Sequence, residues 1–281
     1  MKKFKKFIGL LVVCFIINTM FVYTLFGADT NVVVNINSTF IDLQNLYVRY
    51  NSTTPNTKID ISWNNLIVGT TQTQQTSILT LDATTIGVNG LDTGSLANNT
   101  WYYLYAIHNG NTVASLLSIS STNPTMPSGY TNKRLISSFL TNNSAYFYKQ
   151  VQFGDFVYYI VDGGTFRVIS NGTASTFTTL SLGSYGVPPI TQKVKVSIQV
   201  NPIHNTAGVY FPIGIRPTGS GLTYGYGPVA TISQVANIQV FGSCEINVFT
   251  NNNQQIDYKF FTSPSSGGGF NLDVLGYYLS L

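Results

Sequence analysis

The chain has 281 residues, of which 44% are hydrophobic and only 9% charged, with 14 Lys and Arg against ten Asp and Glu. Lys2, Lys3, Lys5 and Lys6 crowd the first six positions, so from Asp29 onward ten cations face ten anions and the formal charge of +4 falls to zero. A neutral remainder cannot supply the phosphate contacts of a nucleic-acid surface, and the single cysteine beyond residue 28, Cys244, excludes an intramolecular disulfide there.

The basic cluster runs into an apolar stretch from Phe7 to Phe26, the layout of an export signal. About 20 residues at ~1.5 Å each reach across a bilayer. Residues 1–28 are therefore expected to form an apolar leader helix, either a signal peptide or a membrane anchor. Gly27 and Ala28 are small enough for cleavage, whereas Leu25 and Phe26 suit the cleavage pattern poorly, and both outcomes stand. Either one exports the remainder to the extracellular space or the cell envelope, with membrane contact only through an uncleaved leader.

Beyond the leader no window carries sustained helical spacing, and glutamate occurs once, as Glu245. Period-two alternation starts at Ile59, Ile61 and Trp63, set between Lys58, Asp60 and Ser62. Asn109-Gly110, between the Trp101–His108 and Val113–Leu117 runs, predicts a hairpin with a type I′ turn, and Asn89-Gly90 and Asn171-Gly172 are further turn candidates. In Lys193–Val200 four β-branched residues share one face, and Ile246 and Val248 repeat the scheme. Ile256–Phe260 and Phe270–Val274 read as a hairpin-like pair joined over Pro264 and Gly267–Gly269. The expected fold is all-β: an antiparallel β-sandwich, jelly-roll-like, as one large domain or two consecutive β domains at 29–171 and 172–281.

The run from Gly90-Leu91-Asp92-Thr93-Gly94-Ser95 through Thr100-Trp101-Tyr102-Tyr103, and then Pro124-Thr125-Met126-Pro127-Ser128-Gly129-Tyr130, resembles a domain of tail-fibre-like and other appendage proteins of bacteriophages and prophages. Thr54–Ser62 looks like the opening strand of that family and Phe270–Tyr277 like its closing strand, with residues 172–252 similar only in pattern. The resemblance implies a β-built virion-type structural or adhesive protein, here behind an export signal.

Candidate chemistry is sparse. His108 and His204 are the only histidines, and no nucleophile elbow, zinc motif or EF-hand loop is present. Gly225–Ala230 matches G-x-G-x-x-A, but Pro228 and the lack of a following helix remove the phosphate site. No catalytic residue, cofactor or metal is expected. Asp155, Asp162, Asp257 and Asp273 are the acids a glycoside hydrolase would draw on. Aromatic residues carry the positive signal: Trp101, Tyr102, Tyr103 and Tyr105, then Tyr146–Tyr148, then Phe156, Tyr158 and Tyr159 put rings on both faces of successive strands, one face core and the other open to an interface. In the Gly221–Gly227 loop glycines leave Tyr224 and Tyr226 little to pack against, making them the candidate ligand-binding residues. The expected function is a secreted or surface-displayed, phage-tail-like structural or adhesive protein without catalytic activity, homo-oligomeric and binding cell-surface glycans. A polysaccharide-degrading appendage enzyme and a purely structural oligomer subunit are the alternatives.

Overall fold

The computed structural model describes residues 42–225, 230–265 and 267–281. The expected leader, residues 1–28, lies outside them; among the described residues no helix is long and apolar enough to cross a membrane. Leu43–Leu281 form one compact unit, built almost wholly of antiparallel strands.

In chain order these are β1 (Leu43–Gln44), β2 (Tyr47–Tyr50), β3 (Lys58–Val68), β4 (Thr71–Asp82), β5 (Gly90–Leu91), β6 (Trp101–His108), β7 (Val113–Ser118), β8 (Asn132–Leu140) and β9 (Gln150–Phe153). They continue with β10 (Phe156–Tyr159), β11 (Arg167–Gly172), β12 (Thr178–Ser181), β13 (Lys193–Val200), β14 (Val209–Pro217), β15 (Ala230–Ser233), β16 (Gly242–Phe249), β17 (Gln255–Phe260) and β18 (Phe270–Tyr278). A ten-stranded sheet runs β1-β3-β2-β9-β10-β18-β13-β16, with β4 beside β3 and β11 beside β18. Two four-stranded sheets run β12-β17-β14-β15 and β5-β7-β6-β8; in the latter β5 is parallel to β7.

Alternation drives the packing. Val194, Val196, Ile198 and Val200 of β13 are buried and meet Phe211, Ile213 and Ile215 of β14 and Ile256, Tyr258 and Phe260 of β17 in one cluster. Each such side chain contributes about 1.5–3 kcal/mol by leaving water. A second cluster packs Val48, Ile59, Ile61 and Trp63 against Tyr102, Leu104 and Ala106 of β6. The buried residues of the second cluster come from positions up to Phe147 and those of the larger one are Leu140 and residues from Val157 onward, and the ten-stranded sheet takes strands from both.

Both faces of β6 are covered. Tyr103, Tyr105 and Ile107 form a third cluster beneath Met126 and Tyr130 of the segment joining β7 to β8. Tyr105 Oη donates to Ser120 O at 2.8 Å, and burial first, then the nearby Tyr103 and Asp92, push its pKa up to about 12. The residues that carry the appendage resemblance are occupied in this packing: Asp92 Oδ2 accepts from Ser118 Oγ at 2.6 Å and Thr125 N at 3.0 Å, and Tyr102 Oη accepts from Ala97 N at 2.8 Å.

Strand β8 is an edge strand, and between Ser137 and Leu135 its register against β6 slips by one residue, leaving Ile136 as the extra residue of a β-bulge. Its outer carbonyls are met by side chains of the ten-stranded sheet. Gln150 Nε2 donates to Ser138 O at 2.7 Å, Gln152 Nε2 to Ile136 O at 2.8 Å, and Tyr277 Oη to Ser138 O at 2.7 Å. All three side chains are buried. In β18 a second slip, opposite Lys195 and Val196, makes Leu275 the extra residue.

Three sequence expectations require correction. The Asn109-Gly110 hairpin forms, but as a four-residue connection: Asn109 N donates to Thr112 O at 3.3 Å, and Asn109 Oδ1 accepts from Asn111 N and Thr112 N, so an Asx turn replaces the type I′ turn. Asn171-Gly172 is no connecting turn; it lies within β11, with Asn171 at φ 52° where the register to β18 breaks. Ile256–Phe260 and Phe270–Val274 do not pair: β17 and β18 belong to facing sheets, and Tyr258 stacks on Phe270 at 4.7 Å and 12° across the interior. Period-two patterning marks the buried face of each strand without saying which strand it bonds to.

Trp63 is 1% exposed, its Nε1 donating to Thr73 Oγ1 at 3.1 Å, whereas Trp101 is half-buried. Trp63→Ala should therefore cost about 3–5 kcal/mol and Trp101→Ala clearly less in urea denaturation. Gln152→Leu strands two carbonyls but also removes an unpartnered Oε1; its net cost should be about 1–3 kcal/mol, and an unchanged midpoint would show the seam to be dispensable.

Candidate functional site

The Gly221–Gly227 loop presents Tyr224 at 73% exposure, while Tyr226 lies outside the described residues. Gly225 has φ 64°, and a Cβ there would lie 2.4 Å from Ile215 O, so the backbone at Gly225 presses against β14. Tyr224 has one packing partner, distant in the chain: its ring stacks on Phe261 at 5.5 Å and 28°. Lys259 Nζ lies 4.1 Å from the Phe261 ring and 5.0 Å from the Phe177 ring, and the Arg216 guanidinium 3.7 Å from Phe177. Tyr224 thus ends a row in which cations and rings alternate, each exposed cation–ring contact contributing about 0.5–1 kcal/mol.

A more extended arrangement lies on the outward face of the ten-stranded sheet. Reading across six adjacent strands, Tyr47 faces Phe153, Phe153 faces Phe156, Phe156 faces Tyr278, Tyr278 faces Lys193, and Lys193 faces Phe249. Their neighbours along each strand, Val48, Gln152, Val157, Tyr277, Val194 and Val248, are all buried, so this row points outward. Tyr47 and Phe153 rings are 4.9 Å apart and Phe156 and Tyr278 rings 4.6 Å. Lys193 Nζ sits 4.2 Å from the Tyr278 ring and 6.0 Å from Phe249. Phe153 is 67% exposed and Phe249 53%. Five rings and one ammonium therefore form a single line across the sheet.

The sequence reading identified Phe156 and Tyr158 as ring-bearing but missed the row, because its members come from positions 47 to 278 and align only through pairing register. Tyr102, Phe147 and Tyr159, taken there with the same signal, are buried.

Further along the same strands lies a cleft of about 330 Å³ lined by Gln199, Asn201, Phe241, Ser243 and Asn271. Between the row and the cleft, Lys195 Nζ pairs with Glu245 at 2.9 Å; that hydrogen bond and charge hold the lysine's pKa above its ordinary value against the opposing effect of burial.

The four acids do not converge as a hydrolase pair. Asp257 and Asp273 lie on β17 and β18, strands of different sheets, and are buried at 5% and 8% exposure under their own partners. Arg167 holds Asp273 through two bonds of 2.7 and 2.8 Å. Asp257 accepts from Thr179, Thr218 and Arg216 at 2.9, 2.7 and 3.1 Å. Asp155 and Asp162 serve through their main chains, accepting from Leu279 N and Thr165 N at turns. The histidines are engaged locally: His108 Nδ1 accepts from Gly110 N and His204 Nδ1 from Thr206 N, each at 3.1 Å. Cys244 is half-buried beside the larger core cluster, and burial pushes its thiol pKa up. Among the described residues no three His, Cys, Asp or Glu side chains come together.

Burial tends to raise the pKa of Asp257, but the hydrogen bonds from Thr218, Thr179 and Arg216 outweigh it, and the net shift is downward from 3.8. A folded value below the unfolded one means a stabilising contribution fully present at neutral pH and lost as pH falls below the ordinary carboxylate range. Asp257→Asn should be less stable than the parent at pH 7 in urea denaturation, and the gap should close towards about pH 2. A constant gap across that range would show that the carboxylate charge is not the source.

A family model described as the Mtd second domain matches residues 49–139, less than half of the chain's 281 residues. No curated protein matches the chain. Over the span from β2 to β8, then, this chain is similar to the second domain of Mtd.

Proposed function

We propose that this protein is a non-catalytic, surface-displayed β module of the phage-appendage type that adheres to cell-surface glycans through exposed aromatic rings. The observation that carries this reading is the row from Tyr47 to Phe249: rings aligned by strand pairing, with tilted ring pairs at Tyr47–Phe153 and Phe156–Tyr278, cover the apolar C–H faces of sugars without rearranging, and a ring row on an outward face exceeds what solubility calls for. Export through residues 1–28 and assembly into a homo-oligomer complete the proposal. The sheet containing β14 and β17, packed on β13 and β18, supports the jelly-roll-like reading of residues 172–281.

On a panel of capsular and host glycans the full chain should bind saturably without releasing reducing ends. A Phe153→Ala, Phe249→Ala double variant should lose about tenfold or more in affinity with little change in melting, since both rings are exposed. Reducing-end release would overturn the reading in favour of a polysaccharide-degrading enzyme. A flat panel with stable oligomers by light scattering would favour a purely structural subunit.

A further inference from the structure

Among the described residues, two cations of the outward face lie over rings without a carboxylate partner, Lys149 at 5.7 Å from the Tyr50 ring and Lys193, and of these only Lys193 belongs to the ring row. Lys195 is neutralised by Glu245 and Arg167 by Asp273, and Arg49 approaches Asp60 at 3.6 Å. Lys193 Nζ lies between the Tyr278 and Phe249 rings, and among the described residues no carboxylate lies within ion-pair distance of it. An ammonium framed by rings and left without a counter-ion offers a directed charge to an anion stacked on those rings.

The other end of the same strand offers different chemistry. Lys193, Lys195, Ser197 and Gln199 share the outward face of β13, opposite the buried Val194, Val196, Ile198 and Val200. Six residues at about 3.3 Å each place Gln199 roughly 20 Å from Lys193, about the length of a short run of pyranose units. At that end the cleft formed by Gln199, Asn201, Ser243 and Asn271 supplies amide and hydroxyl groups, with the 75%-exposed Phe241 beside them. Amides and a ring are suited to neutral sugar hydroxyls, whereas Lys193 is suited to a carboxylate.

Building on the glycan-adhesive reading, we propose that this face seats a linear, carboxylate-bearing polysaccharide lengthwise along β13, with an acidic sugar at Lys193 and a neutral one in the amide cleft. An acidic peptide fits the face less well. A peptide would gain from pairing with an open strand edge, and β13 is flanked on both sides by β18 and β16, its main chain committed to their ladders. Two unpaired cations, Lys193 and Lys149, are also far too few for nucleic acid.

The test compares two forms of one polymer by calorimetry on the full chain at low salt: polygalacturonate and its methyl-esterified, uncharged counterpart. The parent should bind polygalacturonate about tenfold or more tightly than the ester. Lys193→Met should erase that preference while leaving binding of the ester, and Gln199→Ala should weaken both several-fold. Equal affinity for the two polymers, or a preference that survives Lys193→Met, overturns the acidic-glycan assignment while leaving the broader adhesive reading to the glycan panel. Competition by poly-glutamate as effective as that by polygalacturonate overturns it in favour of an acidic peptide. Binding of neither polymer overturns it outright; if Phe249→Ala then disperses a stable oligomer, the face belongs to a second copy of this chain.

Discussion

The structure depends on how an edge strand is made to face a core. Strand β8 closes a four-stranded sheet and turns carbonyls towards the interior that no neighbouring strand can satisfy; a buried carbonyl without a donor costs about 1–3 kcal/mol. Gln150 and Gln152 answer it with matching periodicity: two residues apart on β9, they reach Ser138 and Ile136, two residues apart on β8. Tyr277 adds its phenol from β18, and burial pushes its pKa above the ordinary value. These donors fix β9, and β9 fixes the Gly154-Asp155 turn that sets Phe153 opposite Phe156. The placement of the outward rings is inherited from a polar seam on the other side of the sheet.

Charge is used sparingly in this chain, and its distribution is uneven. Asp257, Asp273 and Glu245 each have a cationic partner, and Lys259 and Lys193 lie over rings instead. On a surface with so few ions, an unneutralised ammonium carries more weight than it would among many. The two lysines sit on different sheets, one in the row that ends at Tyr224 and the other in the row across the ten-stranded sheet.

Strand existence and burial parity were legible in the sequence because they follow from local chemistry. Lys193–Val200 and Ile59–Trp63 show it: β-branched or aromatic residues at every second position have one stable arrangement, with that face inside. Pairing was legible at the β6–β7 hairpin, which a turn signal marks, but not where no turn does, since β17 and β18 carry the same alternation whether they bond to each other or face each other across a core. Nor was the double burial of β6, which depends on Met126 and Tyr130 folding over it from a segment with no periodicity. Tyr224 was identifiable as a displayed ring because glycines surround it, but its partner Phe261 was not, being 37 residues away along the chain. The ring row has no local signature, as each strand contributes one member and the line exists only after five registers are set.

The extra residue in β18 lets one strand serve two unlike neighbourhoods. Before it, Phe270, Leu272 and Val274 point inward; after it, Tyr277 and Leu279 do, so the parity of the strand reverses at Leu275. A strand of uninterrupted pleat would have to choose, turning either Tyr278 away from the ring row or Asp273 and Asn271 into the hydrocarbon interior. Loss of that one residue would therefore act as an inversion, exchanging inside and outside for half a strand while leaving its composition almost unchanged.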